Sequence, residues 1–305
     1  MIKILKKCLA HLVKKIFSEE IEKELILKAK ILSIKNQKKN KIKDLSDVEF
    51  QVYSQWGEDG IIDWIIGKFP EISKNFLEIG TQNYKESNTR FLLINRNWDG
   101  FLIEGDKSAV KNIKTQRIYW KHNIKVINKF ITKNNVNIII RNFNVPKKIG
   151  LLSLDIDGID YWVLKELSVL NPSIIICEYN SLFGLKKSIT VPYKKNFIRT
   201  KEHYSNLYFG ASIQAFIKLM KKNKYHLLGT NSAGNNAFFI KDKFLKKTNK
   251  IILNNKIFSS KFRESRSKKN KLSFLDKKDS LKLIENKVVI SVDTNEVKLI
   301  RDLKL

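Results

Sequence analysis

Between Glu49 and Lys241, short apolar runs alternate with helical patterns, and this alternation restricts the chain more than any other feature. The runs are NFLEIG (Asn75 to Gly80), GFLIEGD (Gly100 to Asp106), HNIKVI (His122 to Ile127), LLSLDID (Leu151 to Asp157), SIIICEYN (Ser173 to Asn180), YHLLGT (Tyr225 to Thr230) and NAFFIK (Asn236 to Lys241). Each has the length of a buried strand and is bounded by turn residues. Helical spacing fills most of the gaps, notably Asp59 to Gly67, Thr89 to Arg96, Tyr161 to Leu170 and Ala211 to Lys222. The pattern predicts an α/β fold: a doubly wound, mostly parallel, seven-stranded Rossmann-like sheet. The last two runs lie too close for a crossover helix. NSAGNN (Asn231 to Asn236) is therefore expected to be a hairpin turn, which makes one C-terminal strand antiparallel.

Texture divides the chain into a leader over 1–48, the alternating body over 49–242 and a Lys-rich C-terminal extension over 243–305, with a short hairpin expected near KVVISVDTNEVKLI. The leader carries Ile2, Leu5, Leu9, Leu12, Val13 and Ile16 at near-helical spacing among lysines, so it reads as a basic amphipathic helix. Lys14 and Lys15 interrupt its apolar run, which is too short for a membrane span and lacks the cleavage site of a signal peptide. It is expected either to pack on the body or to lie on an anionic membrane surface as a peripheral contact.

With 305 residues and 43% hydrophobic content the chain can bury a full core. Its 59 Lys and Arg against 30 Asp and Glu give a net charge of +29, a balance that raises nucleic acid as a partner. The excess is spread along the chain and is mostly Lys, without zinc-finger spacing or an RNA-binding aromatic motif, so no nucleic-acid partner is expected. Cys8 and Cys177 suggest neither a disulfide framework nor a thiolate metal site, which fits a reducing, cytoplasmic setting.

In a doubly wound sheet, ligands bind beyond the C-terminal ends of the strands. Carboxylates cluster there: Glu78 ends the first strand, Glu104 and Asp106 the second, Asp155 and Asp157 the fourth, and Glu178 the fifth. A carboxylate ending the second strand can accept both hydroxyls of a ribose, which makes Glu104 the ribose candidate. The turn EIGTQNYKES has one glycine where a dinucleotide fingerprint has three, which favours a nucleoside without phosphates, such as S-adenosylmethionine, over NAD. The fourth and fifth strands are expected to be neighbours, so that Asp155, Asp157 and Glu178 converge. Three oxygen donors of that kind suit Mg²⁺ or Mn²⁺ far better than zinc. Asp157 is also a candidate base toward a hydroxyl, and so is His203, in the irregular segment after the fifth strand. A structural alternative is that Asp157 or Asp160 caps the following helix.

YSQWGEDGII, FLEIGTQNYKESNTRFLL, FLIEGD, LLSLDIDGIDYWVLKEL, IIICEYN, YFGAS and NSAGNNAFF together resemble a class I S-adenosylmethionine-dependent methyltransferase of the FkbM-like group, over roughly Glu49 to Lys241, and FRESR (Phe262 to Arg266) extends the likeness. The resemblance implies O-methylation of a hydroxyl on a sugar, glycan or glycolipid acceptor in surface polysaccharide synthesis. It carries Glu78 and Gly80 onto the first cofactor motif, with Thr81 in the turn after it, and Glu104, with Asp106 beside it, onto the ribose-binding acid. Two alternatives stand beside it: a metal-dependent glycosyltransferase using Asp155-x-Asp157, and a non-catalytic binding protein on the same fold.

Overall fold

The computed structural model describes residues 2–260 and 265–305, with side chains from Glu20 onward, so most of the FRESR stretch and the apolar residues Ile2 to Ile16 of the leader helix lie outside the described side chains. The apolar runs form β1 (Asn75–Ile79), β2 (Asp99–Glu104), β3 (Ile124–Asn128), β4 (Lys148–Leu154), β5 (Asn171–Glu178), β7 (Tyr225–Thr230) and β8 (Asn236–Lys241), while β6 (Ile189–Thr190) is a short strand in the connection after β5. Seven of them make one sheet in the order β3-β2-β1-β4-β5-β8-β7. β8 runs antiparallel to both β5 and β7, and the other pairings are parallel. The Asn231 to Asn236 turn makes the β7–β8 hairpin, as expected.

Alternation along the strands sorts the core onto the two faces of the sheet. Leu77, Ile79, Leu152, Leu154, Ile175 and Cys177 belong to one apolar cluster; Phe76, Leu151, Ile174 and Ile176 belong to the other. Full burial of each such side chain contributes about 1.5–3 kcal/mol, so the sheet's register is held by the core itself.

Helices occupy Glu58–Lys68, Arg90–Arg96, Asp160–Glu166 and Ile213–Lys222, close to the expected spans. The third is shorter than its periodicity suggests. Asn171 precedes Pro172, which pushes the backbone extended, and Asn137 Oδ1 accepts the amides of Ser168 and Val169, so the chain leaves the helix early.

The N-terminal helix, Ile2–Gln37, is moored along its second half. Ser33 donates to Asp63 (2.6 Å), the Asn36 amide to the Val48 carbonyl (2.9 Å) and the Gln37 amide to the Asp63 carbonyl (2.8 Å). Ile26 and Ala29 pack on Phe50, Tyr53 and Phe91. Leu27, Ile31 and Ile34 remain exposed on the other side. No helix among the described residues is long and apolar enough to cross a membrane.

The C-terminal segment is built into the body. Its hairpin, β9 (Val288–Ser291) with β10 (Val297–Leu299), pairs with β6 in a second, antiparallel sheet, and Ile284, Val289 and Ile300 join the same apolar cluster as Phe216.

Candidate active site

The winding direction reverses between β1 and β4, and the candidate site lies beyond their C-terminal ends, where a doubly wound sheet opens a crevice. Gly80 leaves β1 with φ +86°, its amide bonded to the Ile103 carbonyl (3.0 Å). A Cβ there would fall inside the van der Waals envelope of the Asp155 carbonyl oxygen, so the two strand ends approach this closely only with glycine at 80. Around Gly80 opens a cavity of about 200 Å³ lined by Gln82, Ile103, Glu104, Phe130, Ile131 and Asp155, among others. One end is an apolar wall from Ile103, Phe130 and Ile131, and the other is acidic.

Glu104 is placed as expected, at this cavity. Its two carboxylate oxygens accept the amides of Gln82 and Asp106, each at 2.7 Å, which fixes the group while leaving lone pairs on both oxygens. Asp106 does not line the cavity. It caps the helix Lys107–Thr115 instead, accepting the amide and hydroxyl of Ser108 (2.8 and 2.9 Å), which draws its carboxyl below the usual range. Glu78 is buried and faces the turn that follows β1. It accepts the Ser87 hydroxyl (2.7 Å), the Asn88 amide (3.2 Å) and the Thr89 hydroxyl, so it pins the 81–89 loop. Burial pushes its carboxyl up. Thr81 is buried in that loop and lines the neighbouring polar cavity.

β4 ends at Leu154, so strand alternation does not carry Asp157 to its place. The chain turns instead: Asp157 sits at φ +56°, a left-handed conformation that Asp tolerates better than most residues, and Gly158 lets the turn pack against the Phe197 ring. Asp160 holds this turn, its two oxygens accepting the amides of Ile156 (2.8 Å) and Gly158 (2.9 Å). It thus bonds back into the turn, and does not cap the helix it opens. Together the turn and β5 bring Asp155, Asp157 and Glu178 within 4.8 Å of one another. Burial, and then the charges of their carboxylate neighbours, push Asp155 and Glu178 well above the ordinary carboxyl range. Glu178 is nine-tenths buried, and its Oε2 has no hydrogen-bond partner among the described residues.

Arg199 was not anticipated. It is the sole arginine between Ser181 and Tyr208, and that rarity beside five lysines is the one signal the sequence offered. Its Nη1 lies 2.7 Å from Asp157 and 3.8 Å from Glu178, its Nε donates to the Asn206 carbonyl (2.7 Å), and its guanidinium stacks 3.6 Å from the centre of the Phe209 ring. His203 is not brought to the cluster: its Nδ1 bonds the Ser205 hydroxyl (2.7 Å), its ring lies against Tyr204, and burial lowers its pKa. Both His122, bonded to Asn97, and His226, bonded to Thr248, have structural partners.

Burial also raises the Asp160 carboxyl to about 6, against its usual 3.8. Because the folded-state value is the higher one, the folded protein binds this proton more tightly. The stabilisation is complete below about pH 4 and is lost as pH rises through 6. Asp160→Asn, which cannot titrate, should lose about 1–3 kcal/mol near neutral pH, where one turn amide lacks its acceptor. The deficit relative to wild type should be larger at pH 4 than at pH 7 by up to about 3 kcal/mol. Urea titrations of both proteins across that range measure this, and parallel curves would contradict it.

The sequence matches no family model, and no curated protein matches it. Solved structures with a similar chain path include an S-adenosylmethionine-dependent methyltransferase from Clostridium acetobutylicum (11% identity over 60% of this chain and 90% of that one, TM-score 0.38). Two others are an O-methyltransferase from Bacillus cereus in complex with SAH (16%, 55% and 73%, TM-score 0.36) and the N-terminal domain of EvdMO1 with SAH bound (8%, 60% and 79%, TM-score 0.37). At this level of likeness the side chains of the site have to be judged on their own geometry.

Proposed function

We propose that the protein is an S-adenosylmethionine-dependent O-methyltransferase acting on a hydroxyl of a sugar or glycan acceptor. The observation that supports this most is the junction of the two halves of the site: a cavity of about 200 Å³ lined by Glu104 also takes in Asp155 and Asp157, which with Glu178 form a cluster of three carboxylates that can bind and deprotonate an alcohol. Glu104 would hold the cofactor's ribose hydroxyls, and Phe130 and Ile131 would offer its adenine an apolar wall. Bound S-adenosylmethionine would supply an electrophilic methyl group, and Asp157, the exposed carboxylate of the three, would take the proton of the acceptor hydroxyl. Arg199 offsets part of the negative charge and orients Asp157.

The donor set also fits a Mg²⁺ or Mn²⁺ ion: its oxygens come from Asp155, Asp157 and Glu178, and the Glu178 Oε2 is without a partner among the described residues. Such an ion would lower the pKa of a bound hydroxyl. A cytoplasmic enzyme in peripheral contact with the membrane, placed there by the N-terminal helix, belongs to the same proposal.

The test is ligand-dependent stability, since a ligand that binds only the folded state raises its melting temperature. S-adenosylhomocysteine should stabilise the wild type. Glu104→Ala should remain folded and bind it about 30- to 150-fold more weakly, a loss of about 2–3 kcal/mol expected for charged hydrogen bonds at a partly buried site. Stabilisation by a nucleoside diphosphate with manganese in its place would favour the glycosyltransferase alternative.

A further inference from the structure

Two stretches that the methyl-transfer chemistry leaves unused, YSQWGED (Tyr53 to Asp59) and NSAGNN (Asn231 to Asn236), meet beside the polar cavity next to the carboxylate cluster. Glu58 is fully buried there. Its Oε1 accepts the side-chain amides of Asn231 (2.6 Å) and Asn236 (2.8 Å), and its Oε2 accepts the Trp56 backbone amide (2.9 Å). Asn231 is used in full: its Nδ2 also donates to the Asn235 Oδ1 (2.7 Å), and its Oδ1 accepts the backbone amides of Gly234 (3.2 Å), Asn235 (3.1 Å) and Asn236 (3.1 Å), which closes the hairpin turn. Asn236 is used by half. Its Nδ2 is held by Glu58, while its buried Oδ1 has no hydrogen-bond partner among the described residues.

The direction of that carboxamide is fixed. Turning it over would set its oxygen against the Glu58 carboxylate, two acceptors facing each other, so Oδ1 stays on the side away from Glu58. Asn236 lines the polar cavity of about 220 Å³ together with Asp155, Asp157, Glu178 and Arg199, whereas Glu58 does not reach it. Its partner in the β5–β8 register is Glu178, which carries the other acceptor in this cavity without a partner among the described residues, Oε2. A buried acceptor held in one direction and lacking a donor within the chain is completed by a donor from outside it. Resting on the methyltransferase reading, we infer that Asn236 is a specificity-determining residue: its Oδ1 receives a second hydroxyl of the acceptor while Asp157 takes the proton of the hydroxyl that is methylated, so the site selects a diol over a simple alcohol, whatever larger molecule carries it.

cis-1,2-Cyclohexanediol and cyclohexanol share a ring and differ by one hydroxyl, which makes them direct probes of that contact. In NMR titrations of the full-length protein with S-adenosylhomocysteine present, the diol should bind at least about fivefold more tightly than cyclohexanol, as a site built to hydrogen-bond a hydroxyl rejects the analogue that lacks it. Asn236→Ala should bring the two affinities within about twofold of each other, with S-adenosylhomocysteine affinity unchanged, because Glu58 keeps the Asn231 and Trp56 donors. Asn236→Val, whose β-branched side chain suits β8, should do the same and covers the case in which the alanine variant fails to fold. Equal affinities of the wild type for the two alcohols, or a diol preference that persists in a folded Asn236 variant, would overturn the inference. S-adenosylhomocysteine binding without a diol preference removes the Asn236 assignment alone. A diol preference that depends on Asn236, in a protein that does not bind S-adenosylhomocysteine, leaves the hydroxyl site standing and removes the methyltransferase reading.

Discussion

Asp157→Asn should lower methyl transfer to a glycan acceptor about 10²- to 10⁴-fold, the usual effect of losing a positioned base, and leave S-adenosylhomocysteine affinity within about threefold of wild type. The residue is suited to the substitution because its side chain is 52% exposed and its ion pair to Arg199, at 2.7 Å, lies at the surface of the cluster. Removing its charge leaves the half-buried Asp155 and the buried Glu178 in place. Transfer measured with chelator-treated protein, with and without added Mg²⁺ or Mn²⁺, reads the metal at the same time. Full activity after chelation would exclude a required ion, and full activity of the substituted protein would reduce the turn from Asp155 to Asp160 to a structural device. Loss of activity with unchanged cofactor affinity separates a chemical role from a collapse of the neighbouring cavity.

Gly80→Ala should be the most damaging single substitution at the site for stability. Two costs combine. Alanine at φ +86° loses about 1–2 kcal/mol to the left-handed conformation, and its Cβ would overlap the Asp155 carbonyl oxygen, a backbone atom that cannot rotate away. Separating the ends of β1 and β4 would also break the Asp155 amide bond to the Ile79 carbonyl (3.1 Å) and displace the acidic cluster. Gly210 isolates the first cost: it has φ +64°, and a Cβ there meets nothing within 4 Å. Gly210→Ala should therefore lose only about 1–2 kcal/mol, while Gly80→Ala loses several more and with them cofactor binding. Denaturant unfolding of the two variants gives the comparison, and equal losses would show that the strand ends are free to part.

The strands themselves were within reach of the sequence because strand signals in this chain are strong and local. IIIC in β5 and LLSL in β4 are buried on both faces, as central parallel strands are, so apolar runs of strand length between helical patterns identify themselves. The close spacing of β7 and β8 fixed the antiparallel hairpin. Neighbouring β4 and β5 then set Asp155 beside Glu178, and strand-end position alone pointed to Glu104.

Side-chain direction was less legible. Glu78 and Glu104 both end strands, yet Glu78 turns to the Ser87–Thr89 hydroxyls and Glu104 to the cavity, a choice made by the loop between them. Asp106 and His203 share the acidic or titratable character of site residues but are held by Ser108 and Ser205.

The sequence by itself determined the sheet, its winding and the ring of carboxylates at its C-terminal edge, because periodicity and burial act over a few residues at a time. Only the tertiary structure decided the chemistry available there. The segment after β5 has no periodicity, and its path depends on Phe197 packing over Gly158 and on β6 pairing with β9, roughly a hundred residues later in the chain. That path brings Arg199 onto Asp157, leaves His203 aside and joins the C-terminal hairpin to β6. Contacts between residues so far apart in sequence leave no local pattern, since each depends on the shape the rest of the chain has already taken.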